Sequence, residues 1–382
     1  MPSHVSPLKV AVIYHFWPHY REAVMTAMDR TRSIEYDFYG SGTPMAGIKH
    51  SNVKAVRNFV VAPFRVKRGI TWQSGAIAAV RKGDYDAVIF LADPNFASTW
   101  IASLLARLKG IPVLFWGHGW LKRESRLKSY SRRAFFQLAD RFMTYSERGM
   151  ALGIQAGYPE KKLSVIYNSL DVVKADAVVG RIEAGELASL RPQSFFAHPH
   201  RPVLICSARL TEKCRFDLLI DAAALLSENG MPVNVVLVGD GPQRQALEDQ
   251  AKRLGVATHF VGACYDEDIT GQLIYHADVT VSPGKIGLTA MHSLMYGTPA
   301  ITHNDLDEQM PEVEAIEDGR TGLLFRRNDP TGLAKAIQEW LGSERSRASV
   351  REECRSVIRE KWNPENQARL IEKAVLAVAD RG

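Results

Sequence analysis

Short apolar runs alternate along this chain with longer stretches whose apolar positions recur every three or four residues. A run such as NVVLVG is apolar at consecutive positions, which marks a strand buried on both faces, whereas FDLLIDAAALL has the length and spacing of a helix packed on a sheet. Strands of the first kind are expected at 9–14, 36–39, 87–90, 112–116, 141–144 and 163–166, and again at 202–207, 233–238, 259–261, 279–281 and 299–302. Alternation of buried strands with amphipathic helices predicts the α/β class, with parallel sheets covered by helices on both faces.

The pattern runs through both halves, and 382 residues exceed what one hydrophobic core comfortably serves. Between the two sets lies 173–201, a helical piece followed by RPQSFFAHPHRP, whose three prolines interrupt regular structure before a new strand begins. This divides the chain into a first domain at 1–185, a second at 186–363 and a closing amphipathic helix at 364–382 that is expected to pack back on the first domain. No repeat of solenoid period and no low-complexity tract is visible.

Composition adds exclusions. With 46% hydrophobic and 24% charged residues, the chain can fill a packed interior. Its first residues carry no basic segment followed by an apolar run and a cleavage site, so a cytoplasmic protein is expected. The longest apolar stretch, 87–108, is broken by Asp93, Pro94 and Asn95 and reads as a strand plus a helix rather than a membrane span. The four cysteines have neither CxxC spacing nor clustered histidines, which argues against a disulfide framework or a zinc site. The net charge of +6 is concentrated at 120–136, where aromatics alternate with lysines and arginines. That pattern suits shallow docking on anionic lipid as well as a solvated helix. Nucleic acid is not expected as a partner, because the charge is local and no recognised motif accompanies it.

The chemistry concentrates in the second half. LVGDGPQR at 237–244 is a strand entering a glycine turn before a helix, and Gly239 there would let a ligand approach backbone amides at a strand end. SPGKIGL at 282–288 leads into another helix, so Gly284, Lys285, Ile286, Gly287 and Leu288 could hold a diphosphate on free amides and one cation. A third strand ends at Arg209, Lys213 and Arg215, whose charges would face the same anion. Each feature alone is equally well read as a tight turn or a solvated charge.

In combination, ARLTEKCRFDLLI, VLVGDGPQRQALE, HFVG, ADVTVSPGKIGLTAMHSLMYGTPAITH and EDGRTGLLF follow one another in the order found in family-4 glycosyltransferases, which this chain resembles. WGHGW, the YSE at 145–147 and VIYNSLD agree with that resemblance in the first half. The resemblance implies the GT-B fold, two Rossmann-like domains facing a cleft, with anomeric configuration retained, no metal and no cofactor beyond a UDP- or GDP-linked sugar as co-substrate. It places His118 at the donor sugar and Arg209 at the diphosphate, and puts base recognition near Gly239 and at Val261, Gly262 and Ala263. Three positions depart from the family pattern. Cys214 stands where a lysine is usual, leaving Lys213 or Arg215 to substitute. Gly284 and His292 replace the two carboxylates of the Glu-x7-Glu signature, which in relatives contact the donor sugar and the ribose. His292 could still bond a ribose hydroxyl, and Gly284 would leave room for a different sugar or a direct backbone contact.

The acceptor is expected on the first domain, at the loop HFWPHYR, where His19, Tyr20 and Arg21 could meet a saccharide or a lipid-linked acceptor. The expected function is therefore a retaining transferase of polysaccharide or lipid-linked glycan synthesis, peripheral on the inner face of the cytoplasmic membrane. The alternatives are a catalytically silent GT-B binding subunit and a nucleotide-sugar epimerase.

Overall fold

The structure is a computed structural model that describes residues 6–43, 48–122, 126–187 and 189–379. The chain divides into two compact units, residues 1–171 with 363–382, and residues 172–362.

Among its described residues the first unit has the strands β1 (Leu8–Ile13), β2 (Ile34–Gly40), β3 (Phe59–Val61), β4 (Phe64–Lys67), β5 (Ile70–Gln73), β6 (Ala87–Leu91), β7 (Val113–Trp116), β8 (Arg141–Thr144) and β9 (Leu163–Val165). Seven form a parallel sheet in the order β3-β2-β1-β6-β7-β8-β9, while β4 and β5 pair antiparallel as a separate hairpin. Helices α1 (Glu22–Asp29), α2 (Ser74–Lys82), α3 (Ala97–Leu108), α4 (Arg126–Phe136) and α5 (Glu147–Gln155) connect them. The chain order reverses between β1 and β6, so their carboxyl ends flank the crevice where an open parallel sheet receives ligands.

The second unit repeats the plan with β10 (Val203–Ser207), β11 (Asn234–Val238), β12 (Thr258–Gly262), β13 (Val279–Ser282), β14 (Ala300–His303) and β15 (Gly322–Phe325). Its parallel sheet runs β12-β11-β10-β13-β14-β15, reversing between β10 and β13. It carries α6 (Val172–Glu183), α7 (Phe216–Glu228), α8 (Arg244–Leu254), α9 (Glu267–His276), α10 (Leu288–Met295), α11 (Pro330–Leu341) and α12 (Arg347–Glu360). The units divide after Asp171, ahead of the proline-rich segment rather than at 185. The reason is α6: Arg181 pairs with Asp268 on α9, and Asp176 receives a bond of 2.6 Å from Arg355 on α12. These contacts bind α6 to the second unit.

The last helix, α13 (Pro364–Ala379), returns to the first unit. Its Ala368, Ile371, Ala374, Val375 and Val378 are buried in one cluster with Val10, Met25, Met28 and Tyr36. Buried Gln367 fixes the helix start, donating to the Tyr167 carbonyl at 2.6 Å and accepting from the Ser169 hydroxyl at 2.6 Å. Burying a large aliphatic side chain contributes about 1.5–3 kcal/mol, so α13 is part of the first unit's core rather than an appendage.

Candidate functional site

In the second unit, the loops leaving β10, β13, β14 and β15 enclose a cavity of about 260 Å³, lined by Lys213, Arg215, Pro283, Gly284, Lys285, His303, Glu308, Arg327 and Asn328. It lies where the strand order reverses. Three of its four cations are engaged. Arg215 contacts Asp217 at 2.9 Å and donates to Asn328 at 2.5 Å, Arg327 pairs with Asp305 at 2.9 Å, and Lys285 lies 3.6 Å from Glu308. The exposed Lys213 has no ion-pair partner among the described residues, nor does the exposed Arg209 on the same loop. Cys214, where the family pattern has a lysine, donates its thiol to the Arg209 carbonyl at 3.2 Å.

The glycines are explained largely by the chain itself. A Cβ on residue 284 would sit 2.0 Å from the Lys213 carbonyl oxygen. The Gly284 amide donates to the Cys214 carbonyl at 3.1 Å, and the Lys285 amide to the Lys213 carbonyl at 3.3 Å. The expectation that Gly284 leaves room for a sugar is therefore corrected, because backbone already fills that space. Nor are the first amides of SPGKIGL open: that of Ile286 donates to the Gln309 side chain at 2.8 Å. Buried Gln309 also reaches the His303 carbonyl at 3.0 Å, which makes it the clamp of this loop. The amides of Gly287, Leu288 and Thr289 have no acceptor among the described residues, and these partly exposed positions open α10. Unpaired amides at a helix start are the kind of group that favours an anion.

Gly239, at φ 146, is likewise required by close approach. A side chain there would meet the Ala208 carbonyl oxygen at 2.0 Å, while the Gly239 amide donates to the Gly262 carbonyl at 2.8 Å. This leaves Val261, Gly262 and Ala263 at the carboxyl end of β12, beside the β11 exit. His292, on α10, does not line the cavity. Its Nε2 lies 3.1 Å from a Glu267 carboxylate oxygen that also accepts from the Tyr296 hydroxyl at 2.7 Å. Burial pushes the Glu267 carboxyl up, but hydrogen bonding and charge from His292, then Tyr296 and Lys174, outweigh it and hold the group at about 2.

His303, Arg327 and Glu308 were not anticipated as site residues. The first two follow from topology, since they stand at or just beyond the carboxyl ends of β14 and β15, next to β13. The Nδ1 of His303 is buried without a hydrogen-bond partner. Burial and the Arg327 charge hold this imidazole down at about 4.

In the first unit, His118 follows β7 on a loop fixed from both sides. Gly119 has φ 62, Thr144 donates to the His118 carbonyl at 3.3 Å, and Arg132 bonds the Gly119 carbonyl. The His118 ring is exposed and stands edge-on to Tyr145 at 5.0 Å. Crowding by the surrounding protein, then the Arg21 and Arg132 charges, lower its pKa to about 4. The ring is thus a neutral donor and acceptor at pH 7.

The loop after β1 is only partly as expected. His19 is exposed and Tyr20 partly so, but Arg21 is buried. Its guanidinium donates to the Tyr145 hydroxyl at 2.6 Å and lies 5.2 Å from the Trp116 ring and 5.4 Å from that of Tyr14. No carboxylate pairs with it among the described residues. Arg21 is therefore packed against Tyr14, Trp116 and Tyr145 rather than exposed, and its charge is felt at His118. The basic segment 120–136 also differs. Trp120 packs on Phe136, Phe142 and Tyr158, and Phe135 and Phe136 are buried, so most of its aromatics face the core. Residues 123–125, with the side chains of 126–129, lie outside the described residues.

Residues 191–357 match the family model described as Glycosyl transferases group 1, and residues 24–174 match that described as Glycosyltransferase Family 4. The chain belongs to the family-4, GT-B type glycosyltransferases. A GDP-mannose-dependent alpha-(1-6)-phosphatidylinositol dimannoside mannosyltransferase of Mycobacterium tuberculosis is 30% identical over 39% of this chain and 38% of its own length. The match thus spans about two fifths of that curated relative. Among solved structures, HepE from Anabaena in complex with UDP is 16% identical with a TM-score of 0.69, over 96% of this chain and 99% of its own. A glycosyltransferase from Rickettsia africae reaches 0.72 at 14% identity, over 99% of this chain and 100% of its own. These likenesses establish the GT-B fold for this family member.

Proposed function

We propose that this chain is a retaining, metal-independent glycosyltransferase that moves a sugar from a UDP- or GDP-linked donor to a saccharide or lipid-linked acceptor in glycan synthesis. The carrying observation is the cavity at the reversal point of the second sheet, lined by Lys213, which has no ion-pair partner among the described residues, and by the loop that runs on into the start of α10, where the amides of Gly287, Leu288 and Thr289 have no acceptor among the described residues. A nucleoside diphosphate matches that chemistry, and cations with helix amides can take up the charge of the departing phosphate without a metal ion. Lys213 is favoured over Arg215 for this work because Asp217 and Asn328 already hold Arg215. Arg209 is assigned to the same diphosphate, and the unpartnered His303 Nδ1 to a donor hydroxyl or phosphate oxygen.

The acceptor hydroxyl attacks the sugar on the face from which the diphosphate leaves, and the leaving phosphate takes the proton. His118, neutral beside Arg21, orients the donor sugar by hydrogen bonding and carries no proton in this scheme. His19 and Tyr20 are the exposed part of the acceptor loop. The GDP-mannose-dependent phosphatidylinositol dimannoside mannosyltransferase named above and the UDP complex of HepE support a nucleotide-sugar donor and a lipid-linked acceptor. A lipid-linked acceptor fits an enzyme working at the inner face of the cytoplasmic membrane.

The test is product analysis with a panel of UDP- and GDP-sugars, with and without saccharide and lipid-linked acceptors. The proposal expects acceptor-dependent consumption of one donor and a product of unchanged anomeric configuration. Conversion of donor without acceptor would establish an epimerase, and no conversion by a nucleotide-binding protein would establish a silent subunit.

A further inference from the structure

Between Asp37 and Asp84 the sequence contains no aspartate or glutamate but eight lysines and arginines. The projecting part of this stretch is the hairpin formed by β4 and β5. Its turn, at Arg68 and Gly69 with φ 51 and 79, has the two left-handed residues of a tight hairpin whose twist matches its strands, so the tip is preorganised. Alternation sends Thr71 and Gln73 into the body, where Gln73 donates to the Tyr14 carbonyl at 2.8 Å and the Thr71 amide to the Asn95 carbonyl at 2.9 Å. The opposite face pairs Arg65 with Trp72 and Lys67 with Ile70. On this face Ile70 is 58% exposed and Trp72 45%. Arg65, Lys67 and Arg68 have no ion-pair partner among the described residues.

We propose that this hairpin docks on an anionic lipid surface, with Ile70 and Trp72 entering the interface and Arg65, Lys67 and Arg68 meeting the headgroups. Interleaved cations and apolar side chains, tryptophan among them, suit the depth where headgroups meet acyl chains. Each basic residue at such a surface strengthens binding about fivefold, so three give roughly a hundredfold preference for anionic over neutral lipid. A protein partner is a poorer match, because a stable interface covers about 800 Å² on each side and one two-stranded tip offers far less. The base of the hairpin also fits a membrane. Phe64 packs on His15 and Phe96, and Gln73 holds the carbonyl of Tyr14, so the docked surface lies beside the loop leaving β1. Delivery of a lipid-linked acceptor to that loop rests on the proposed transferase function; the docking itself does not.

The test is co-sedimentation of the full chain with large vesicles of phosphatidylcholine alone or with about one third phosphatidylglycerol, a composition whose surface charge separates the two contributions. Binding to the anionic vesicles is expected to fall at least tenfold in the triple variant Arg65→Gln, Lys67→Gln, Arg68→Gln, and similarly in Ile70→Ser, Trp72→Ser. Both variants change exposed side chains, and an unaltered melting temperature with unaltered nucleotide binding verifies their fold. Failure of the unmodified chain to bind anionic vesicles, or equal binding by the variants, would overturn the proposal. So would a change of oligomeric state in the variants without any vesicle binding, which would make the hairpin a protein interface. None of these outcomes touches the transferase function, whose own failure would show as absent donor turnover with vesicle binding intact.

Discussion

The amide of Gly284 donates to the carbonyl of Cys214 at 3.1 Å, joining the loop after β13 to the loop after β10. Gly284, one departure from the family pattern, is thus fitted against the backbone of the loop that carries another. A residue with a Cβ cannot occupy position 284 while the Lys213 carbonyl oxygen lies 2.0 Å from where that atom would be.

Restoring the family's carboxylate should therefore fail. Gly284→Glu is expected to destabilise the second unit by about 1–3 kcal/mol, the usual cost of forcing atoms into a packed site. It is also expected to weaken nucleotide binding by displacing Lys213. Denaturant unfolding with calorimetric titration checks both, and a stable variant with improved turnover would refute the packing argument.

Removing His292 should act through Glu267. In His292→Ala the part-buried carboxylate keeps the Tyr296 hydroxyl but loses its imidazole partner, and stability at pH 7 is expected to fall by about 1–3 kcal/mol. The additional substitution Glu267→Gln should recover much of that loss, because the stranded charge goes with it. A double-mutant cycle in urea measures the coupling, and strictly additive effects would show that the pair is not energetically linked.

Stability should also decline in mild acid. Burial lowers His15, His276 and His303 to about 4, and crowding does the same to His118, from the usual 6.5. Between those values the unfolded chain binds more protons than the folded one, so stability falls as pH drops from about 6.5 toward 4. Glu267, held near 2, opposes unfolding above the usual carboxylate range and yields that contribution only as pH falls further. Melting temperatures from pH 8 to 4 test this, and a flat profile over that range would contradict it.

Much of this was legible before the structure. The expected strands at 9–14, 87–90, 202–207 and 233–238 became β1, β6, β10 and β11, because fully buried strands leave consecutive apolar residues. The helix 364–379 was visible from its stripe, whose apolar residues became core of the first unit. The hairpin was missed although Val66 and Ile70 flank a Lys-Arg-Gly turn signal, because its outer face is apolar and basic together and imitates neither usual pattern. The glycines were legible as close approaches, but sequence does not say whether ligand or chain approaches. At Gly239 and Gly284 it is the chain. Arg21 drew notice for its charge, yet its burial under Tyr14, Trp116 and Tyr145 depends on neighbours far away in sequence. Gln309 gave no signal, since nothing local separates a buried clamp from a loop amide.

The most direct measurement is thermal stabilisation by UDP, GDP and ADP of the unmodified chain and of the double variant Arg209→Ala, Lys213→Ala. The account predicts that UDP or GDP raises the melting temperature at concentrations well above its dissociation constant, where about 3 kcal/mol is gained at a hundredfold excess, and that the double variant loses this response while folding normally. Stabilisation by none of the three, or an undiminished response in the double variant, would contradict it.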